Sequence, residues 1–170
     1  VIDIGANIGD TAISFIYHGA KRVIGLEPFP INYQFFKSNI LKNNMEKQIE
    51  IIQGGCSSES SEIFVDPNLS GLSYKMKNSE TGQKINQHSL DELINKFNVN
   101  NGIIKMNCEG CEYDTILNTS NDTLKKISYF FVAYHNGPNL LKKKLDNAGF
   151  NLITEQFSEQ KGYIIAQNKN

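Results

Sequence analysis

The chain has 170 residues and a mass of 19.1 kDa, enough for a single domain, residues 1–170, whose apolar core needs neither disulfides nor a structural metal. Its 17 Lys and Arg residues nearly balance 18 Asp and Glu residues, and the net charge of -1 gives no electrostatic reason to expect a nucleic-acid partner. A small-molecule or glycan partner is easier to accommodate.

The three cysteines bear on the cellular compartment. Cys108 and Cys111 lie close together and Cys56 is remote, which is unlike the disulfide framework of a small secreted protein. No stretch approaches the roughly 20 apolar residues of a membrane span, and no signal peptide is recognisable. We therefore expect a soluble, cytoplasmic protein. Because Val1 already lies in an apolar run, we also expect a chain trimmed at its N-terminus.

The N-terminal third alternates apolar strands with amphipathic helices. Its predicted elements are a strand at 1–4, a helix at 10–18, a strand at 22–26, a helix at 31–41 and a strand at 49–52 that stops at Gly54 and Gly55. In the second helix, one side is assigned to Ile31, Phe35, Phe36 and Ile40.

The segment 56–87 has a weaker pattern, rich in Ser, Asn and Gly, with two possible short strands at 63–65 and 72–76. We interpret it as an insertion that shapes the substrate site, because functional loops on a rigid scaffold commonly select the substrate. Tyr74 is the side chain we assign to that selection.

Regular patterns return at Ser89, which forms a capping box with Glu92 for a helix ending near Phe97. The later predicted elements are a strand at 103–106, a helix at 113–117, a strand at 127–134, a helix at 139–148 and hairpin strands at 150–154 and 163–166. Strands alternating with helices predict an α/β fold, with a mostly parallel seven-stranded sheet and an antiparallel C-terminal hairpin.

The strongest chemical signal is the segment D-I-G-A-N-I-G at 3–9, which ends a strand and opens a helix. Gly5 permits a tight turn and Gly9 a close helix contact, so that backbone can approach a ligand. A dinucleotide site carries G-x-G-x-x-G and places pyrophosphate on the helix N-terminus. The carboxylate of Asp3 suits a cationic amino-acid tail instead, with capping of the turn as its alternative role.

Glu27 ends the second predicted strand, close to where nucleotide-binding folds place an acid for the ribose hydroxyls. Two carboxylates on adjacent strand ends would bracket an adenosine-sized cleft. The alternative for Glu27 is a solvated loop charge before Pro28. The predicted cofactor residues are Asp3, Gly5, Asn7, Gly9, Glu27 and Pro28.

The segment N-C-E-G-C-E at 107–112 follows the strand at 103–106. Glu109 and Glu112 either reach a bound substrate or favour the N-terminus of the next helix through its dipole. Cys108 and Cys111 form a C-x-x-C, but a zinc site needs roughly four ligands and no second pair is nearby. We therefore expect neither a metal nor a redox role, and treat the two cysteines as small packing side chains.

His135 closes the strand at 127–134, on the predicted ligand edge of the sheet. It is our candidate for a general base, because an unperturbed imidazole is neutral around pH 7. A hydrogen-bonded structural role is the alternative. His18 is expected on the surface and His88 in a loop.

Four segments resemble the FkbM-type methyltransferases: V-I-D-I-G-A-N-I-G-D-T from residue 1, V-I-G-L-E-P-F-P from residue 23, S-L-D-E-L from residue 89 and I-I-K-M-N-C-E-G-C-E from residue 103. The resemblance runs to about Ala166. It implies a Rossmann-like class I methyltransferase fold with a reversed final strand. It also implies S-adenosylmethionine as donor and methylation of a hydroxyl on a sugar, glycan or secondary metabolite.

The resemblance also assigns residues. It places Asp3, Gly5 and Gly9 in the cofactor loop, makes Glu27 the ribose-binding acid, and matches Glu109, Gly110 and Glu112 to an E-G-x-E motif. Asn107 departs from the aspartate usual in the family, and Ala133 from an expected glutamate. The predicted catalytic set is His135, Glu109, Glu112 and Asn107, and Asn107 is restricted to hydrogen bonding because it cannot ionise.

The sequence is compatible with three functions. The first is an O-methyltransferase, and the second is a degenerate domain that binds the cofactor without turnover and acts as a sensor or partner subunit. The third, a nucleotide-dependent oxidoreductase, is disfavoured by the arrangement of Asp3 and Gly5.

Overall fold

The computed structural model describes residues 1–69 and 82–169. Within these ranges the chain has nine strands and six helices, and it divides into two compact units. The first unit comprises Val1–Gly55 and Ser61–Gln87, and the second comprises Cys56–Ser60 and His88–Asn170. Each unit combines strands with helices, as the α/β class requires.

The first unit contains the parallel strands of the N-terminal third. Its elements are β1 (Ile2–Ile4), α1 (Asp10–Tyr17), β2 (Val23–Glu27), α2 (Pro30–Lys42), β3 (Ile49–Ser57), β4 (Ser61–Val65) and β5 (Gln83–Ser89). The strand order is β4-β5-β3-β2-β1, with β1, β2 and β3 parallel and β4 antiparallel to β5. Asp3 and Glu27 therefore lie toward the carboxyl ends of two adjacent parallel strands.

Apolar packing in this unit is centred on α2. Every residue of β1 and β2 is buried, as expected for parallel strands covered on both faces. Phe36 is fully buried in a cluster with Val23 and Ile49. Phe35 is 57% exposed, so its assignment to the same side as Phe36 is wrong. Neighbouring helical residues point about 100° apart, and only one of the two rings can face the strands.

The second unit contains the antiparallel C-terminal strands. Its elements are α3 (Leu90–Lys96), β6 (Gly102–Met106), α4 (Cys111–Asn118), α5 (Asn121–Leu124), β7 (Ile127–Tyr134), α6 (Asn139–Asn147), β8 (Phe150–Gln156) and β9 (Gly162–Asn168). The strand order is β6-β7-β9-β8; β6 is parallel to β7, and β9 is antiparallel to both β7 and β8. Phe130 packs edge to face on Phe150 with ring centroids 5.4 Å apart.

The Rossmann-like α/β class and the antiparallel C-terminal hairpin are confirmed, but the described residues form nine strands rather than seven. β3 continues through Gly54 and Gly55 because it has a hydrogen-bonded neighbour on each side, which outweighs the low strand propensity of glycine. Strand β5 was missed because its sequence is mostly polar, with Ile85 and His88 its buried residues. The predicted strand at 72–76 and Tyr74 lie outside the described residues.

The helix cap at Ser89 is confirmed, since its side chain accepts a hydrogen bond from the Glu92 amide at 3.1 Å. The reciprocal half of the capping box differs from expectation. Ser60 Oγ accepts from the Ser89 amide at 3.3 Å and donates to the Glu92 carboxylate. Ser60 thus replaces the direct contact of a capping box.

In the ranges that the structure describes, the longest helix is α2 with 13 residues. None of these helices has the length and apolar character needed to cross a membrane.

Candidate cofactor and catalytic sites

The glycine-rich turn after β1 has three residues with positive φ: Gly5 at 73°, Asn7 at 50° and Gly9 at 86°. The amides of Gly5 and Ala6 both donate to the Leu26 carbonyl, at 3.1 and 2.9 Å. These bonds fasten the turn to β2. A β-branched residue at Gly5 would have to adopt a conformation that such side chains rarely tolerate.

Gly9 precedes α1 and lies against α2. A Cβ built at this position would overlap the Phe36 ring. The absence of a side chain therefore lets the start of α1 approach the buried Phe36, as the close-packing interpretation of Gly9 predicts.

Asp3 is completely buried, and its Oδ2 accepts a hydrogen bond from Thr11 Oγ1 at 2.6 Å. Thr11 belongs to the first turn of α1. The carboxylate is thus held at the end of β1 by a hydroxyl of the helix that follows the glycine-rich turn. A buried carboxylate with this support is preorganised for a positively charged or hydrogen-bonding ligand.

Glu27 is 3% exposed, and hydrogen bonds connect its side chain to the same turn. Its Oε2 accepts from the Asn7 amide at 2.9 Å, and its Oε1 accepts from the Phe29 amide at 3.0 Å and Asn32 Nδ2 at 3.4 Å. The solvated-loop alternative is therefore wrong for Glu27. The adjacent Pro28 is partly buried, and a following proline favours the extended backbone that Glu27 has in β2.

The Asn7 side chain adds an acceptor to this site. In the part of the chain that the structure describes, its buried Oδ1 has no hydrogen-bond partner. A buried carbonyl oxygen left in this state costs free energy unless a ligand supplies a donor. Together with the Asp3 and Glu27 carboxylates, Asn7 fits a ligand rich in hydroxyl, amine and amide donors, such as an adenosine carrying an amino-acid tail.

In the second unit, three of the four predicted catalytic residues are in contact. His135 Nδ1 lies 2.9 Å from Glu112 Oε1, and His135 Nε2 lies 3.4 Å from Glu109 Oε1. The His135 amide also donates to Glu112 Oε1 at 3.1 Å. Asn107 is exposed and begins the loop after β6. The imidazole is thus flanked by carboxylates at both ring nitrogens.

Glu112 is fully buried in the first turn of α4. Its Oε2 accepts from the Gly110 amide at 2.9 Å, so one carboxylate orients both the loop before α4 and the end of β7. Burial of a carboxylate is costly unless hydrogen-bond donors compensate for the lost water. The helix-dipole interpretation accounts for only part of the role of Glu112, because the side chain also binds His135.

The hydrogen bond that His135 donates to the Glu112 carboxylate raises the pKa of His135 above its usual value of 6.5, and the negative charge of Glu109 acts in the same direction. Burial and the charge of Lys161 oppose this increase without cancelling it. The expectation of an unperturbed imidazole at pH 7 therefore needs correction. His135 remains protonated to higher pH, and a base role would require a pH above its raised pKa.

Tyr113 was missed in the sequence. Its hydroxyl donates to the Gly137 carbonyl at 2.8 Å and accepts from the Asn136 amide at 2.7 Å. It thereby fastens the loop that follows His135 to α4. A tyrosine early in a helix carries no signal of such a contact, which joins residues 24 positions apart.

Cys108 and Cys111 form a disulfide, so their interpretation as simple packing side chains is wrong. The bond closes around Glu109 and Gly110. Cys56 is the remaining cysteine; it is buried, and burial raises the pKa of its thiol to about 12. In residues 1–69 and 82–169, no group of three or more His, Cys, Asp and Glu side chains has the arrangement of a metal site.

The other two histidines serve as references. His18 is exposed after α1, where its Nδ1 lies 2.8 Å from the Ser14 carbonyl oxygen. His88 is buried in β5, and its Nδ1 lies 3.1 Å from Glu92 Oε1, so its assignment to a loop is wrong.

A family model for the methyltransferase FkbM domain matches residues 3–165. The crystal structure of methyltransferase FkbM from Methylobacillus flagellatus KT is similar, with a TM-score of 0.67 and 16% identity over 97% of this chain and 42% of that one. No match was found among curated proteins.

Two other solved structures have related folds. M. capricolum TrmK, in complex with S-adenosyl-homocysteine, has a TM-score of 0.56 and 16% identity over 99% of this chain and 61% of its own. Streptococcus pneumoniae Sp1610, a putative tRNA (m1A22) methyltransferase in complex with S-adenosyl-L-methionine, has a TM-score of 0.60 and 14% identity over 98% and 64%. The likeness is one of fold, and this chain spans less than two thirds of each of the three proteins.

Proposed function

The chain belongs to the FkbM methyltransferase domain family, whose methyl donor is S-adenosylmethionine, and we propose that it methylates a hydroxyl group of a sugar, glycan or secondary metabolite. The observation that carries the proposal is the pair of buried carboxylates, Asp3 and Glu27, around a turn of positive-φ residues. That arrangement combines close backbone approach with acceptors for amine and hydroxyl donors.

The cofactor roles follow from these contacts. We assign the amino-acid tail of the donor to Asp3, because a buried carboxylate matches its ammonium group. We assign the ribose hydroxyls to Glu27, a buried carboxylate at the end of β2 whose oxygens accept hydrogen bonds from the Asn7 and Phe29 amides. Asn7 Oδ1 supplies a further acceptor.

When bound, the donor supplies an electrophilic methyl group on a sulfonium. The protein then has to orient a hydroxyl for in-line attack, and orientation of two reactants can lower a barrier by about 7–11 kcal/mol. We assign removal of the hydroxyl proton to His135, with Glu112 holding Nδ1 and Glu109 orienting the acceptor near Nε2. Above its raised pKa, His135 can accept this proton at Nε2 and retain the hydrogen bond from Nδ1 to Glu112.

A second candidate is a binding domain without turnover, acting as a sensor or partner subunit. It is favoured by the exposed Asn107, which cannot ionise, and by the engagement of both His135 nitrogens with carboxylates. In this function the imidazolium is a structural ion-pair partner, and the donor is bound as a signal.

The acceptor class is inferred from the net charge and from the segment 56–87. A net charge of -1 favours a neutral or small polar acceptor over a nucleic acid. We assign acceptor selection to the segment 56–87. Shortening this segment should change acceptor preference and leave donor affinity intact. Loss of donor affinity in a folded variant would contradict the assignment of this segment to the acceptor alone.

We also propose that the protein acts in the cytoplasm.

Two measurements test the function. Calorimetry should detect binding of S-adenosylhomocysteine but not of NAD, and the reverse result would overturn the methyltransferase assignment. A panel of sugars, glycans and hydroxylated metabolites, assayed with labelled donor, should then reveal turnover. Donor binding without turnover on any acceptor would favour the second candidate.

A further inference from the structure

We propose that Cys108 and Cys111 form a reversible thiol–disulfide exchange site whose oxidation state sets the position of Glu109 against His135. The exchange partner is a thiol or disulfide, either a small molecule such as glutathione or a dithiol protein. The exchange chemistry stands by itself, whereas its consequence for catalysis rests on the proposed function.

The disulfide encloses the residue that it would control. Between Cys108 and Cys111 lie only Glu109 and Gly110, with φ values of 54° and 118°. A left-handed backbone conformation is unfavourable for a non-glycine residue. The closed ring restricts the loop to conformations compatible with the bond, so opening it allows Glu109 to leave this unfavourable region.

The carboxylate of Glu109 connects the loop closed by the disulfide to His135. Its Oε1 lies 3.4 Å from His135 Nε2, the nitrogen assigned to the acceptor proton. Glu112, by contrast, is held by the Gly110 amide and by two nitrogens of His135. We therefore expect opening of the disulfide to release Glu109 before it releases Glu112.

The location also suits exchange chemistry. Cys111 is the first residue of α4, and a helix N-terminus stabilises a thiolate in a C-x-x-C sequence. Both cysteines are partly exposed, whereas Cys56 is buried. In a cytoplasmic protein, a disulfide is usually transient and serves catalysis or redox sensing.

The exchange balances in atoms and electrons. In oxidation, one cysteine thiolate attacks a sulfur of the oxidised partner, forms a mixed disulfide and releases the partner's first thiolate. The second cysteine thiolate then attacks the cysteine sulfur of the mixed disulfide, which closes the Cys108–Cys111 bond and releases the second thiolate. Two electrons pass to the partner, and the two cysteine protons go to solvent or to the released thiolates.

The first experiment measures the exchange. The protein is equilibrated in glutathione buffers of increasing reduced-to-oxidised ratio, quenched with acid, alkylated and analysed by mass spectrometry. Cys108 and Cys111 should change together and reversibly within this range, while Cys56 remains a thiol throughout. A pair that stays fully oxidised or fully reduced at every ratio would overturn the proposal, because a structural disulfide resists the glutathione pool.

The second experiment measures the consequence at His135 by NMR titration of its imidazole. The groups facing it are Glu109, Glu112 and Lys161. Reduction should lower the pKa of His135, because the nearby Glu109 charge raises it. The C108S/C111S variant should reproduce the reduced form. In Glu109→Gln the pKa should be lower already, and reduction should shift it no further.

Equal His135 pKa values in the oxidised, reduced and C108S/C111S proteins would overturn the control of Glu109. S-adenosylhomocysteine affinity is measured on the same samples. It should be unchanged, since the donor residues belong to the first unit. Failure to bind S-adenosylhomocysteine would instead count against the proposed function. It would not affect the test of thiol–disulfide exchange at Cys108 and Cys111.

Discussion

The glycine-rich turn of the first unit and the histidine cluster of the second, which consists of His135, Glu109 and Glu112, are held by different kinds of interaction. The turn obtains its shape from positive-φ residues and backbone hydrogen bonds to Leu26, with Asp3 and Glu27 buried beside it. The cluster is held by contacts between charged groups, because His135 lies between two carboxylates. The turn should therefore be sensitive to added side chains, and the cluster to changes of charge.

The largest effect is expected from Gly5→Val. A β-branched residue at a φ of 73° cannot hold the turn, so affinity for S-adenosylhomocysteine should be lost. Calorimetry provides the measurement. Gly19→Val is the matched control, because Gly19 has a φ of 93° and a Cβ added there would meet no atom within 4 Å. Unchanged affinity in Gly5→Val would show that the turn does not hold the donor.

In the cluster, His135→Ala should lower turnover by about 10²–10⁴-fold, the usual contribution of a general base, with donor affinity nearly unchanged. In the unaltered protein, turnover should rise with pH through the raised pKa of His135. His18→Ala and His88→Ala are the controls. Near-normal turnover of His135→Ala across pH 6 to 9 would leave the residue a structural role only.

Glu27→Gln should weaken donor binding by about 10–100-fold, since hydrogen bonds to a charged group contribute roughly 1.5–3 kcal/mol. The amide also places an NH₂ group where a carboxylate oxygen accepts backbone hydrogen bonds. Glu50→Gln, which removes an exposed partner of Arg22, should bind normally. Equal affinities for the two variants would exclude Glu27 from the donor site.

The smallest effect concerns stability. Folding raises the pKa of His135, so protonation favours the folded state; this contribution is complete below pH 6.5 and is lost as pH rises through the folded pKa. Each pKa unit corresponds to about 1.4 kcal/mol. Urea unfolding of His135→Gln should thus show a smaller loss of stability between pH 5.5 and pH 9. An unaltered pH dependence would indicate that folding does not shift this pKa.

The two regions also differ in how well the sequence predicted them. The turn could be predicted from the sequence because its glycines and acids lie within a few residues of strand ends, where the local pattern agrees with the fold. The contacts of Glu112 with His135 and of Tyr113 with Gly137 join positions 23 and 24 residues apart, and no local pattern encodes them. The disulfide was missed because C-x-x-C fits several chemistries and only the backbone geometry decides among them.

Glu109 also has a consequence for protein engineering. Glycine at this position would avoid the cost of a positive φ but would present no carboxylate to His135. A screen for thermal stability alone should therefore enrich glycine at residue 109, whereas a screen for turnover should retain glutamate. At this residue the two selections oppose each other, and a variant selected for thermal stability would lose turnover.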